Sequence, residues 1–159
     1  MIELIIYPLE GFILDGKEVN FGMSQTDVEK VLGKPPKFEV NNLINQIFEP
    51  RSGTIFHYKE NELYSVDIPI DKGVVVTYAG IDLLNDKDTI TKLSQYDNEP
   101  TPCNGKFINF YKLGICLGGF GRKRIPEKKM ITAFSSNQID LFKFQFLTGG
   151  GKLDKKVQD

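Results

Sequence analysis

Apolar positions along the chain alternate between two periods. Residues 2–7 read as a strand, and 11–21 as a short loop-and-strand segment ending in Val19-Asn-Phe21. The clearest helix follows. Ser24 is a natural N-cap with Asp27 three residues on, Val28, Val31 and Leu32 recur at helical spacing, and Gly33 stands where a helix ends. Pro35 and Pro36 block continuation. Period two then returns. Ile44–Phe48 and Thr54–Tyr58 read as strands, Lys59-Glu-Asn61 as a tight turn, and Glu62–Ile68 as the returning strand of a hairpin. Val74–Tyr78 opens a further β segment.

A second cycle begins near residue 81. Asp86 is placed to cap a helix through Ile90 and Leu93, with Pro100 and Pro102 beyond it. Phe107–Tyr111 reads as a strand, Lys112-Leu-Gly114 as a turn and Ile115–Leu117 as the return. Met130–Phe134 and Ile139–Phe146 supply two more strands, and 148–159 reads as a flexible tail. Residues 19–31 align with 81–93 at an offset of 62, cap on cap, Val28 on Ile90 and Val31 on Leu93. Thr54–Lys59 aligns with Phe107–Lys112 at an offset of 53. The pattern predicts an α+β domain over 1–147: a tandem pseudo-repeat, about 1–72 and 73–147, of short helix plus antiparallel strands. Its helices would pack on a curved antiparallel sheet.

The run Phe21-Gly-Met-Ser-Gln-Thr-Asp-Val-Glu-Lys-Val-Leu-Gly-Lys-Pro-Pro36 resembles the Gly-Met-Thr-x-x-x-Val-x-x-x-Leu-Gly-x-Pro signature of small outer-membrane-assembly lipoproteins. That motif also occurs in the wider superfamily with the β-lactamase-inhibitor-protein-like fold. The motif covers about 16 residues, with a weak echo at 81–93. The resemblance implies a tandem α+β fold and a relative of inhibitors and of immunity proteins that neutralise a partner toxin. It carries over no contact residue. The chain departs from the lipoproteins in its N-terminal Met-Ile-Glu-Leu-Ile-Ile-Tyr-Pro, which shows no secretory signal and no lipidation cysteine.

Composition narrows the partner classes. The chain has 159 residues, 40% hydrophobic and 26% charged, which suits one globular domain and excludes a disordered or fibrous chain. No apolar stretch reaches the roughly 18 residues of a membrane span. Cys103 and Cys116 are the two cysteines, too few for a disulfide framework; Cys116 reads as a small buried hydrophobe and Cys103 as a loop thiol. The expected compartment is the cytoplasm. The formal net charge of -1 hides a division. Residues 1–100 hold 17 acids against 9 bases, net -8, whereas 101–159 hold 4 against 11, net +7.

Candidate chemistry is sparse. His57 is the single histidine, and its neighbours Ile55, Phe56 and Tyr58 place it on a strand as a sheet histidine. No zinc spacing is present, and Asp82, Asp86 and Asp88 lack the glycine and closing glutamate of a calcium loop. Gly118-Gly-Phe-Gly121 leads into Arg122-Lys-Arg124, but the spacing fits neither a Walker nor a Rossmann phosphate loop, so it reads as a long hairpin loop. Glu60 and Glu62 flank a turn tip and face solvent, unsuited to act as a paired acid and base.

The expected function is therefore non-enzymatic: a protein-binding module, specifically an immunity or inhibitor protein that neutralises a toxin by blocking its active site. No cofactor or metal is expected. Phe56, Tyr58, Tyr64, Phe110 and Tyr111 would line a concave sheet face with acidic residues around them, and a basic toxin or nuclease would suit the acidic half. Expected contact residues are Tyr58, Glu60, Glu62, Tyr64, Asp82, Asp86, Asp88, Tyr111, Arg122, Lys123 and Arg124. Two readings stand behind this one. The first is nucleic-acid or phosphate binding through residues 122–129, against which the pI near 5.9 weighs. The second is a small enzyme using Cys103 or His57.

Overall fold

A computed structural model of the chain describes residues 1–70, 73–103, 106–120, 129–140 and 143. The chain opens with three strands, β1 (Ile2–Tyr7), β2 (Gly11–Leu14) and β3 (Lys17–Asn20), then helix α1 (Gln25–Leu32). Four strands follow: β4 (Glu39–Asn41), β5 (Gln46–Arg51), β6 (Thr54–Lys59) and β7 (Glu62–Pro69). Next come β8 (Val74–Tyr78), β9 (Ile81–Asp82) and the one-turn helix α2 (Thr89–Leu93). The last strands are β10 (Thr101–Cys103), β11 (Phe107–Phe110), β12 (Ile115–Gly118) and β13 (Met130–Phe134), before a 3-10 turn at Ser136–Gln138.

These strands form two sheets. The smaller has the order β3-β2-β1-β8-β9, with β1 and β8 parallel. The larger, antiparallel throughout, runs β10-β11-β12-β13-β7-β6-β5-β4, so two four-stranded meanders meet at the β13–β7 pair. Alternation decides which side each residue serves. Along β6, Thr54, Phe56 and Tyr58 point inward and are buried, while Ile55, His57 and Lys59 point out. The inward rows of both sheets make one core. Leu4, Phe12, Leu14, Val74 and Val76 of the small sheet share it with Phe56, Val66, Ile68, Ile115 and Ile131 of the large one. Phe12 meets Phe56 edge to face at 5.3 Å, directly across the layers.

This arrangement overturns the expected α+β fold of helices on a sheet. Strands make up 46% of the structure, and the inner face of the large sheet is covered mainly by the small sheet. The physical reason lies in helix size. Eight residues of α1 span roughly 12 Å at about 1.5 Å per residue, and of them only Val28 is fully buried. Five-residue α2 adds Ile90 and Leu93 to the core edge. Neither can cover an eight-stranded sheet.

The expected pseudo-repeat is not supported either. The Thr54–Lys59 and Phe107–Lys112 segments occupy unlike places: β6 adjoins β7 at the middle of the sheet, whereas β11 lies one strand from its far edge. Tyr58 and Lys59 lie within a strand, but Tyr111 and Lys112 lie in a turn. The two helices differ as well. Ser24 Oγ accepts from Asp27 N at 3.1 Å, as the capping pattern predicts, and Gly33 N–H closes the C-terminus onto Glu29 O. Asp86 does not cap α2; its carboxylate accepts from Asp82 N at 3.2 Å and pairs with Lys92 at 3.3 Å, while Asp88 precedes the helix without capping it. Of the expected strand at 139–146, the described residues Ile139, Asp140 and Lys143 are helical. Three short strands escaped the period-two reading, β4, β9 and the proline-bearing β10, which places Cys103 on a sheet edge and not in a loop. The tail 148–159 lies outside the described residues.

The β11–β12 turn depends on Gly114, whose φ of 62° lies in the left-handed region. A Cβ there would fall 2.6 Å from the Phe134 carbonyl oxygen, which a side chain cannot accept. Gly114→Ala is therefore expected to cost about 1–3 kcal/mol, read as a lower urea midpoint with an unchanged slope.

Candidate functional site

Residues with chemical potential gather around the large sheet's β4–β7 half. Its hairpin tips sit side by side. The β6–β7 turn uses Glu60 and Asn61 at φ 52° and 60°, the two-residue geometry that matches strand twist. Glu60 N–H donates to the Asn45 carbonyl of the β4–β5 turn at 3.0 Å, and Asn61 Oδ1 accepts from Gln25 N at the start of α1. In the β4–β5 turn, Asn41 Oδ1 accepts from Leu43 N at 3.2 Å. This polar scaffold displays apolar groups to water: Leu43 is 96% exposed, and Phe38, Val40 and Ile44 are each about half exposed. Glu39, Glu60 and Glu62 stand exposed beside them.

Behind the tips lies a buried ionic cluster. Glu49 is fully buried and Arg51 is 6% exposed; both project from β5 into the layer between the sheets. Arg51 Nε donates to Glu49 Oε1, and Arg51 Nη2 donates to the Gly33 carbonyl at 2.8 Å. Gln25 Nε2 donates to Glu49 Oε2 at 2.8 Å, and the Tyr58 hydroxyl lies 3.4 Å from Oε1. One carboxylate thus holds the first residue of α1 while its arginine partner holds the C-cap. The cluster fixes the helix, and through Asn61 the turn, on the sheet.

On the opposite, outward face, His57 Nε2–H donates to Asp67 Oδ2 at 2.7 Å, and Thr132 Oγ1 donates to Asp67 Oδ1 at 2.6 Å. The ring of Phe48 abuts the imidazole edge to face at 5.1 Å, and Tyr64 lies at 6.1 Å. The arrangement ties β6, β7 and β13 together. No three His, Cys, Asp or Glu residues converge as a metal site among the described residues.

The expected contact residues are therefore scattered. Tyr58, Phe56 and Phe110 are fully buried core and cannot meet a partner, which corrects the concave aromatic face. Tyr64 is half-buried beside His57, and Tyr111 packs on Phe134 at 6.3 Å with Lys143 Nζ 4.9 Å above its ring. Glu60 and Glu62 are exposed at the hairpin tip, as expected. Asp82, Asp86 and Asp88 lie on the far side of the topology, at β9 and the turn before α2; Asp82 accepts from Asn85 Nδ2 at 3.0 Å. Arg122, Lys123 and Arg124 lie outside the described residues. Sequence reasoning missed the tip group Phe38, Val40, Leu43 and Ile44. Its signal was present: a Leu-Ile pair inside the asparagine-rich run Asn41-Asn-Leu-Ile-Asn45. Compared with known proteins, the chain matches no family model, no curated protein and no solved structure.

Removing one partner of the buried pair leaves an uncompensated charge, so Glu49→Ala is expected to lose about 3–5 kcal/mol in urea unfolding. The tyrosines set the alkaline limit. Burial, then the Glu49 charge, raises Tyr58 above its ordinary 10.0; burial, then Asp67, raises Tyr64. Both phenols stay neutral in the folded chain at a pH where the unfolded chain ionises them. Their contribution is full below about pH 10 and falls away as pH rises beyond it. Tyr58→Phe should flatten the loss of melting temperature between about pH 9.5 and 11.5; an unchanged pH profile would contradict the assignment.

Proposed function

We propose that this chain is a non-enzymatic protein-binding module, an immunity or inhibitor protein of the cytoplasm that neutralises a partner toxin by covering its active site. The joined tips of β4–β5 and β6–β7 are its contact surface. The observation that carries this reading is the set of exposed apolar residues Phe38, Val40, Leu43 and Ile44 on and just before the β4–β5 hairpin, whose turn is hydrogen-bonded to the β6–β7 turn, with Glu39, Glu60 and Glu62 exposed on the same two hairpins. Isolated apolar residues on a surface are ordinary, but four exposed within the stretch 38–44 suit a protein interface. Groups held on a hydrogen-bonded turn lose less entropy on docking than free ones, and the exposed Glu39, Glu60 and Glu62 of the same hairpins favour a partner that presents lysine or arginine.

Residues 21–36 contain the Ser24-capped helix, and its first residue Gln25 ties it to the β6–β7 turn through Asn61. Of the alternative's residues 122–129, 122–128 lie outside the described residues. Lys129, the described member of that basic run, lies over the Phe120 ring at 4.5 Å.

Co-expression with the products of neighbouring toxin genes tests the proposal. The wild-type chain should restore growth against one of them, and rescue of none overturns the reading. Leu43→Asp and Ile44→Asp should each weaken the complex by about 2 kcal/mol or more, roughly 30-fold in Kd by calorimetry, with an unchanged melting temperature.

A further inference from the structure

We propose that the outer face of the five-stranded sheet is a second docking surface, independent of the hairpin tips, for a cationic extended segment of a partner protein. The register carries the argument. Glu18 pairs with Ile13, Ile13 with Ile5, Ile5 with Thr77, and Thr77 with Asp82. Cross-strand partners share a face, so these five residues form one row across all five strands, a carboxylate at each end with two isoleucines and Thr77 between. Their neighbours Leu4, Leu14, Val76 and Ile81 are buried on the other face, which directs the row away from the core. Ile5, Ile13, Thr77 and Asp82 are partly exposed and Glu18 is exposed. Asp82 accepts its hydrogen bonds from the neutral amide of Asn85, so its charge is not cancelled by a base among the described residues.

Charge and dimension specify the occupant. The segments that build this sheet and its adjoining turn, 1–20 and 73–88, hold seven acids against two bases, net -5, so an anionic or neutral apolar segment is disfavoured. Four strand spacings of about 4.8 Å set Glu18 and Asp82 roughly 19 Å apart. An extended chain covers that distance in about six residues at ~3.3 Å each. The fitting segment therefore carries Lys or Arg at positions one and seven and β-branched apolar residues at three and five, all on one face.

A capped seven-residue peptide of that pattern, Lys-Ser-Val-Ser-Val-Ser-Lys, is the probe, with a version bearing Glu for both Lys as comparison. In titrations of the full chain followed by amide NMR, the cationic peptide should shift Ile5, Ile13 and Thr77 saturably. The double variant Glu18→Lys/Asp82→Lys, its fold checked by circular dichroism, should bind at least tenfold more weakly, and added salt should weaken wild-type binding. Leu43→Asp should bind the peptide as wild type does, which separates this surface from the hairpin-tip reading. Absence of saturation up to about 1 mM, equal binding of the Glu peptide, or unchanged affinity in the double variant would each overturn the proposal.

Discussion

Pairing of β13 with β7 is the constraint on which the other elements depend. Five residues of each strand align, Met130 with Pro69 through Phe134 with Ser65, and bring together segments 65 residues apart at the Thr132–Asp67 hydrogen bond. Closing so long a loop is entropically costly and is offset only when the pair buries apolar surface. It does so through Ile131 and Ala133, which face the same core as Val66 and Ile68. Without this pair the large sheet would separate into two meanders, each with an uncovered edge. His57 joins the same junction through Asp67, so its one clear hydrogen bond serves the seam between the meanders.

The second organising contact is the Glu49–Arg51 pair. A buried ion pair is weak evidence for net stability, since desolvation opposes the attraction. Here its geometry does something that apolar side chains could not. Glu49 reaches the first residue of α1, and Arg51 reaches the carbonyl of Gly33 just beyond its last. Both ends of a short helix are thereby fixed, and Asn61 extends the hold to the β6–β7 turn. The turn that carries Leu43 and Ile44 is tied to the same framework by the Glu60–Asn45 backbone bond. Fold and proposed contact surface share one polar framework.

The charge division acquires a location. Much of the excess of acid in the first hundred residues lies on ordered strands and turns: the edge strands of the small sheet, the 82–88 turn and the hairpin tips. The two proposed surfaces both pair exposed apolar groups with carboxylates, at opposite parts of the topology. Such pairing favours encounter with basic partners while leaving the apolar contact to hold them.

Local physics was legible in the sequence. Ser24, Val28 and Gly33 define α1, the alternation around Thr54–Lys59 defines a half-buried strand, and Glu60-Asn61 defines a solvent-facing turn, because each depends on neighbours a few residues away. Cys116 is buried, as its apolar neighbours required. Tertiary structure alone decided what those elements face. Period two states that Tyr58 and His57 lie on opposite sides of β6, but not which side a second sheet will cover; Phe12 of β2 settled that, and Tyr58 became core. The same holds for α2, whose apolar spacing suited a longer helix than its five residues provide. The sequence by itself determined periods, caps and turns, since these arise from short-range sterics and hydrogen bonding. The partnership of β7 with β13, the row from Glu18 to Asp82 and the cluster at Glu49 arise from contacts between distant segments, and register across such distances is set only when the whole core closes.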